Sequence, residues 1–345
     1  MLPRPARALV LAAATLLAAV AAAAAGDGEE LTELSLEDLM NVRLNAMGLT
    51  GIHHTHARGE WMVGLSLMHM HMDGSRSGAH DLGDADVLRD FPVTPTEMDM
   101  DMAMLHLMHA PTDRWTLMAM VPYLRLTMDH VTRSGMRFRT RADGLGDVEL
   151  GALFQLWKQG GHRIDLLGML RLPTGSIDVK DDTPMGRVRL PYPMRLGSGS
   201  VDLHPGITYQ AQTDTWAWGV HAGSILRTHR NHRGYRLGHR VHLTGWVARS
   251  LTDWLSASLR LDGHQWGDVE GDDDALNPAL VPTADPGLRN GRRVDALLGV
   301  NLFALDGPLA GHRLAVEGGV PVHQWLDGPQ LEVDYRLSLE WTWVF

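Results

Sequence analysis

The chain has 345 residues, of which 44% are hydrophobic, no cysteine, and a formal net charge of −10. That acidic balance, with no basic stripe to offset it, excludes nucleic acid as a partner, and the lack of thiols excludes a disulfide framework. Beyond residue 25 no apolar run reaches the 18 or so residues of a spanning helix, so the hydrophobic content is carried in short segments.

Arg4 and Arg7 precede a stretch over 8–24 made almost wholly of Ala, Leu and Val, which ends at Ala23-Ala24-Ala25 before Gly26-Asp27-Gly28-Glu29-Glu30. Basic, apolar, small, then polar is the order of a secretory signal. Residues 1–25 are therefore expected to be a signal peptide cut near Ala25, in preference to a membrane anchor, for which the apolar stretch is short and alanine-rich. Residues 26–58 read as a separate N-terminal segment, a periplasmic tail or small lumen insert. Leu31, Leu34, Leu39 and Val42 lie near one face of a short amphipathic helix, and Leu34 to Met40 resembles the start of the plug segment of TonB-dependent receptors. The segment ends in His53-His54-Thr55-His56, three imidazoles in four residues, a set able to bind a transition metal.

From residue 59 to 345 the pattern changes to strict alternation. Over 331–345 one parity reads Leu331, Val333, Tyr335, Leu337, Leu339, Trp341, Trp343, Phe345, and the other Glu332, Asp334, Arg336, Ser338, Glu340, Thr342, Val344. Fifteen residues of alternation predict a strand with one apolar and one polar face, several times longer than a soluble strand of about 5–6 residues requires. The same alternation recurs at 148–156, 163–172, 201–210, 255–264, 294–302 and 313–323. A membrane protein without spanning helices must close its sheet, because lipid offers no partner to an open edge. The fold class expected is all-β, a transmembrane antiparallel β-barrel of about twelve strands with both ends in the periplasm.

Short turns are expected at 110–114, 159–162, 213–215, 251–253 and 305–311. Long extracellular loops are expected at 73–96, 127–146, 172–199, 228–238 and 265–290, with a shorter one at 324–329. Trp61, Trp115, Trp157, Trp216, Trp218, Trp254, Trp341 and Trp343 fall near strand ends, as in an interfacial girdle. The partners implied are outer-membrane lipid and lipopolysaccharide, the barrel insertion machinery through the C-terminal strand with its last aromatic Phe345, and a small solute. The polar face supplies the lumen candidates Asp165, Arg171, His204, Gln210, His221, Arg260, Asp262, His264, Arg336 and Glu340. Their mixed charge favours water inside, and the expected role is a channel or transporter. No His-x-Ser or Ser-x-His occurs, so the Ser/His pair of a barrel lipase is lacking and no enzyme is expected.

Methionine is unevenly spread: fifteen of nineteen lie between Met40 and Met136, with Met68-His69-Met70-His71-Met72 and Met98 to Met104 the densest pieces. Thioethers are soft ligands that favour Cu(I), so copper or silver handling is the alternative function and Cu(I) the one cofactor suggested. On a strand Met68, Met70 and Met72 share one face while His69 and His71 take the other. The alternation turns Met62, Met68, Met70, Met72, Met118 and Met120 to the lumen. With Asp99 and Asp101 inward, it turns Met98, Met100, Met102 and Met104 to lipid, since two carboxylates in hydrocarbon would cost a few kcal/mol. The metal candidates are therefore the six inward methionines with His53, His54 and His56. Half of the methionines remain explicable as flexible apolar filler. The acidic loop 268–274 reads as a solvated tip.

Gly144-Leu145-Gly146-Asp147-Val148-Glu149-Leu150 and Leu170-Arg171-Leu172-Pro173-Thr174-Gly175-Ser176 resemble the outer-membrane barrel family of the meta-pathway of phenol degradation, and the strand pattern from about 60 to 345 agrees. The resemblance implies an outer-membrane channel-like protein taking up small organic solutes. From the residues alone these two stretches read as turns: Gly144 and Gly146 enter a strand, Pro173 stops a ladder, and Gly175 turns into the long loop.

Overall fold

Leucine outside and carboxylate inside is the arrangement the alternation predicts, and it is what folds. A computed structural model of the chain describes residues 54–345. The predicted signal peptide, residues 26–53 and His53 lie outside the described residues. Leu298 is 70% exposed and Val322 62%, whereas Asp165 is wholly buried. A continuous exposed apolar surface of this kind suits lipid, not water.

The strands are β1 (Trp61–Gly78), β2 (His80–Leu82), β3 (Val93–Thr112), β4 (Trp115–Thr132), β5 (Arg137–Leu145), β6 (Val148–Gln159), β7 (His162–Leu172), β8 (Lys180–Thr183), β9 (Gly186–Arg189), β10 (Asp202–Gln212), β11 (Trp216–Arg227), β12 (Arg240–Ser250), β13 (Leu255–Trp266), β14 (Gly291–Phe303) and β15 (His312–Val344), with one short α-helix among the described residues, α1 (Asp84–Asp90). Neighbours pair antiparallel in the order β1-β3-β4-β6-β7-β10-β11-β12-β13-β14-β15, and β15 returns to β1 from Met62↔Val344 upward. The ring is closed, so no edge is left in lipid.

Two elements need reading together. The 33 residues of β15 meet β14 through Arg313–Leu326 and β1 through Leu326–Val344. The chain reverses between these halves at Gly328 (φ 67°), and the Gln324 side chain both donates to Val333 O and accepts from Val333 N. β15 is thus a hairpin of two staves. Strands β5 and β6 are one stave: β4 pairs β5 over Tyr123–Val131 and β6 over Trp115–Met120, with the break opposite Pro122, whose ring nitrogen has no hydrogen to donate. The ten other ring strands and the two halves of β15 make twelve staves.

Short turns sit at the end that holds Trp61, Trp115, Trp157, Trp216 and Trp343, so this girdle marks the periplasmic rim. The opposite side is uneven. β1, β3 and β4 run 18, 20 and 18 residues, well beyond the roughly 9–11 that span a bilayer. Residues 127–146, expected as a loop, are instead the top of the β4–β5 hairpin, paired from Tyr123↔Leu145 to Val131↔Arg137. The polar, arginine-rich sequence there reflects strand that has risen out of the membrane.

The length of β3 also corrects its orientation. Leu105 and Leu107 face outward, 49% and 44% exposed, and His106 is buried inside. By parity Met98, Met100, Met102 and Met104 face the lumen and Asp99 and Asp101 face outward, the reverse of the expectation. The penalty invoked against outward aspartates belongs to the bilayer midplane and fades toward the interface. Asp99 and Asp101 lie on the tall part of the wall, where His71 and His69 each donate from Nδ1 to them over 2.8 Å.

Candidate functional site

The lumen has two unlike walls. Strands β1, β3 and β4 give a thioether wall. Directly opposed partners run Met62↔Met108↔Met118, Met68↔Met102, Met70↔Met100 and Met72↔Met98↔Met128, with Met120 opposite His106. Opposed residues stand about 4.5–5.5 Å apart at Cα, so paired thioethers lie side by side, in two separate clusters along the wall. Near the periplasmic end Met62, Met108, Met118, Met120, Leu153 and Met169 pack as one cluster. All six inward methionines singled out from sequence are here; the four of β3 and Met108 join them.

The facing wall is ionic. Arg171 Nε donates to Glu149 Oε1 at 3.0 Å, and His204 Nδ1 to Glu149 Oε2 at 2.9 Å. Asp262 accepts from Arg336 Nη2 at 2.8 Å and from His264 Nε2 at 3.2 Å. Arg260 binds Glu317, Arg293 binds Asp295 at 2.9 Å, and Arg313 reaches Glu340 at 3.5 Å. Four imidazoles cross adjacent staves: His221 stacks on His242 with centroids 4.8 Å apart, and His242 lies 5.9 Å from His204 and 6.0 Å from His264. Glycine makes the room. A Cβ on Gly206 would stand 2.9 Å from His221, and one on Gly223 2.4 Å from His242.

Every lumen residue expected from sequence is inside, but at different depths. Asp165 and Gln210 sit toward the periplasm with Arg163, which donates to Asp165 at 2.6 Å and to Thr55 O at 2.9 Å. Thr55 and His56 are buried in this mouth, His56 N donating to Thr116 Oγ1 at 3.0 Å. Of the three-histidine motif, His54 and His56 have rings 5.0 Å apart. Sequence reasoning missed His242, whereas Glu149, Asp295 and Glu317 fall on the lumen-facing parity read from the alternation without being singled out as candidates. His242 had a usable signal, since its parity matches Thr244, and the structure sets it between Gly223 on one neighbouring strand and His264 on the other.

Between the walls lie two cavities. The inner one, about 330 Å³, meets Met68, Met102, Met104, Met118 and Met120 on one side and Arg171, His204, His242, Arg260, Asp262 and Arg336 on the other. The outer one, about 370 Å³, meets Met70, Met72, Met98 and Met100 opposite Arg227, Arg240, Arg289 and Arg293, with Tyr192 above.

Tyr192 belongs to the loop after β7, which folds inward over the mouth. Leu190, Met194 and Leu196 pack on Met98, Leu126, Met128 and Ala142. The two glycine-containing motifs hold this loop. Asp147 Oδ1 accepts from Gly175 N at 3.0 Å, and Oδ2 accepts from Ser198 N at 2.8 Å and Ser198 Oγ at 2.9 Å. Thr174 Oγ1 donates to Gly146 O at 2.8 Å. The motifs act as a clasp, a role beyond the turns read from sequence. The acidic 268–274 loop contributes too: Asp273 accepts from Arg189 at 2.9 Å and Arg195 at 2.7 Å, so it is not a solvated tip.

These loop carboxylates give the mouth an acid response. The hydrogen bond from Arg233 is the main cause holding Asp178 at about 2. Burial pushes Asp273 up, but bonds from Ala275 N–H and Arg195 outweigh it and leave the carboxyl below its ordinary range. Both values are lowered by docking, so docking gains stability above the ordinary carboxylate value of about 4 and loses it as pH falls toward 2. Single-channel current should therefore rise when the loop side is stepped from neutral to about pH 3; a flat response would show that the clasp does not depend on these pairs.

A sequence profile of the family described as "Putative MetA-pathway of phenol degradation" matches residues 89–296. The chain belongs to this family. The match spans α1 to β14 and includes both clasp motifs, while the methionines of β1 lie before it. Among solved structures of similar fold is the COG4313 outer membrane channel from Pseudomonas putida F1, with 15% identity and a TM-score of 0.63, covering 86% of this chain and 100% of that one. The P. putida toluene transporter TodX (11%, TM-score 0.43) covers 84% of this chain and 91% of its own. A Pseudomonas aeruginosa FadL homologue (12%, TM-score 0.40) covers 83% and 89%. No curated protein matches the chain in sequence. The protein of this family described here is an outer-membrane β-barrel.

Proposed function

We propose that this barrel passes a small amphiphilic organic anion, of the size and shape of an aromatic carboxylate, through its two cavities. The observation that carries the reading is the outer cavity, where four arginines face four methionines and no carboxylate among the described residues joins the lining, Asp202 and Asp295 pairing with Arg227 and Arg293 from outside it. Guanidinium groups recognise carboxylates in pairs of parallel hydrogen bonds, and thioether sulfur gains about 0.3–1.5 kcal/mol against an aromatic ring. An aromatic acid satisfies both walls at once. The description of the family is in keeping with an organic solute.

The thioether wall supports a second reading, in which the barrel binds or passes Cu(I) or Ag(I). Opposed methionines on three staves supply what a single strand could not, two or three soft ligands around one point. One pair of measurements separates the readings, made on the refolded barrel and on a variant with Met62, Met68, Met70 and Met72 changed to leucine. The anion reading expects benzoate to carry or block current in both proteins, with weak Cu(I) binding in both. Tight Cu(I) binding lost in the variant, with currents indifferent to benzoate, would instead assign soft-metal handling.

A further inference from the structure

The outward histidines of β1 are not accounted for by lumen or loop. We propose that His69, His71, Glu97 and Asp99 bind one divalent transition-metal ion of the zinc class on the outside of the barrel, where β1 and β3 rise from the apolar belt. The inference stands apart from any choice of solute.

His71 Nδ1 lies 2.8 Å from Asp99 Oδ1 and 3.9 Å from Glu97 Oε1. Ligand atoms of these three residues all fall within 4.8 Å of one another. His69 points into the same place from two residues away on the strand, its Nε2 3.8 Å from Asp99 Oδ1. Tetrahedral zinc with bonds of about 2.0–2.1 Å sets its ligand atoms about 3.3 Å apart. The separations of 2.8, 3.8 and 3.9 Å bracket that figure.

A second observation comes from His69 itself. Its side chain is 1% exposed, and Nε2 is buried with no hydrogen-bond partner. The other nitrogen, Nδ1, donates to Asp101 Oδ1 at 2.8 Å. That bond puts the proton on Nδ1 and leaves Nε2 as the ligating nitrogen, 3.8 Å from Asp99 Oδ1. A carboxylate behind the imidazole is the usual way in which a metal-binding histidine is oriented and made more basic. Leaving such a nitrogen buried and unpaired is unfavourable, and an ion at this point removes that cost. Tyr335, on the adjoining stave, packs its ring 5.3 Å from His71 and 5.8 Å from His69 and closes the site on that side. Its hydroxyl is likewise buried without a partner. On binding, the ion displaces the proton that His71 shares with Asp99, and that proton goes to solvent. The ion then clips β1 to β3.

The test is a zinc titration of the full refolded barrel in detergent, by competition with a chromophoric chelator, with zinc-edge X-ray absorption on the complex. Folding of each variant is checked by heat-modifiable gel mobility. Wild type should take one tight ion with two imidazoles and oxygen ligands at about 2.0–2.1 Å. His71→Ala and the shape-conserving Asp99→Asn should each weaken binding at least 100-fold. Asp101→Asn should weaken it about 10–100-fold while keeping two imidazoles in the spectrum. Alanine at His53, His54 and His56 together, or at His242, should leave it unchanged. Wild-type affinity in folded Asp99→Asn, or loss of the ion on removing the N-terminal or lumen histidines instead, would overturn the proposal.

Discussion

Replacing Asp147 with alanine should raise single-channel conductance several-fold while the barrel stays folded. Asp147 is 7% exposed and accepts three hydrogen bonds, all from the loop that covers the mouth. Hydrogen bonds to a charged group contribute about 1.5–3 kcal/mol each. Because the freed donors regain water when the loop lifts, a net loss of about 3–5 kcal/mol from loop docking is reasonable. That shifts the docked-to-open ratio by about two to three and a half decades, at about 1.4 kcal/mol per decade. The rest of the stave ladder does not involve this carboxylate, so global stability should change little. Gly197→Ala attacks the clasp from the other side, since its Cβ would stand 2.3 Å from Asp147 Oδ1. As both changes act on one contact, the double variant should conduct like either single one. Conductance is the primary readout, and protease cleavage between residues 177 and 195 the second. Unaltered current with a protected loop would show that the clasp does not gate the pore.

The clasp also shows where the sequence was legible and where it was not. Parity is local, so the lumen set from Asp165 to Glu340 could be read from alternation, and so could the lipid set from Leu150 to Val322. Closure was legible because a ladder in lipid has no alternative to it. Depth was not. Parity says which way Asp99 points only when one residue of β3 is already anchored, and the anchors, Leu105 and Leu107, lie below the point at which the strand leaves lipid. A rule valid at the midplane was carried up the strand to a place where it no longer holds. Long-range pairing was equally hidden. Gly144 to Asp147 and Thr174 to Gly175 look like turn residues, and nothing local says that the carboxylate of one closes on the amide of the other across 28 positions. The same limit concealed the outer histidine site, whose ligands come from strands separated by a helix and a loop.

Asp262→Ala is expected to produce the largest change inside the pore, lowering stability by about 3–5 kcal/mol and turning the lumen more anion-selective. Asp262 is 5% exposed and holds Arg336 at 2.8 Å and His264 at 3.2 Å. Removing it leaves Arg336 with Asp295, 3.7 Å away, as its remaining carboxylate. Breaking one side of a buried pair costs more than the pair contributes, because the surviving charge stays desolvated. The wall of the inner cavity then carries Arg171, Arg260 and Arg336 against Glu149 alone. Asn at the same position separates the two effects. It keeps an oxygen for Arg336 and so spares most of the stability, yet it removes the same unit of charge. The reversal potential in a salt gradient should therefore shift toward the anion in both variants, while the urea midpoint falls chiefly in Asp262→Ala. Adding Arg336→Met to Asp262→Ala should restore much of the midpoint and cancel the shift, since the charge left without its partner is then gone too. Identical reversal potentials in wild type, Asn and Ala would mean that ions do not pass this wall, and with it the proposed route between the two cavities would fall.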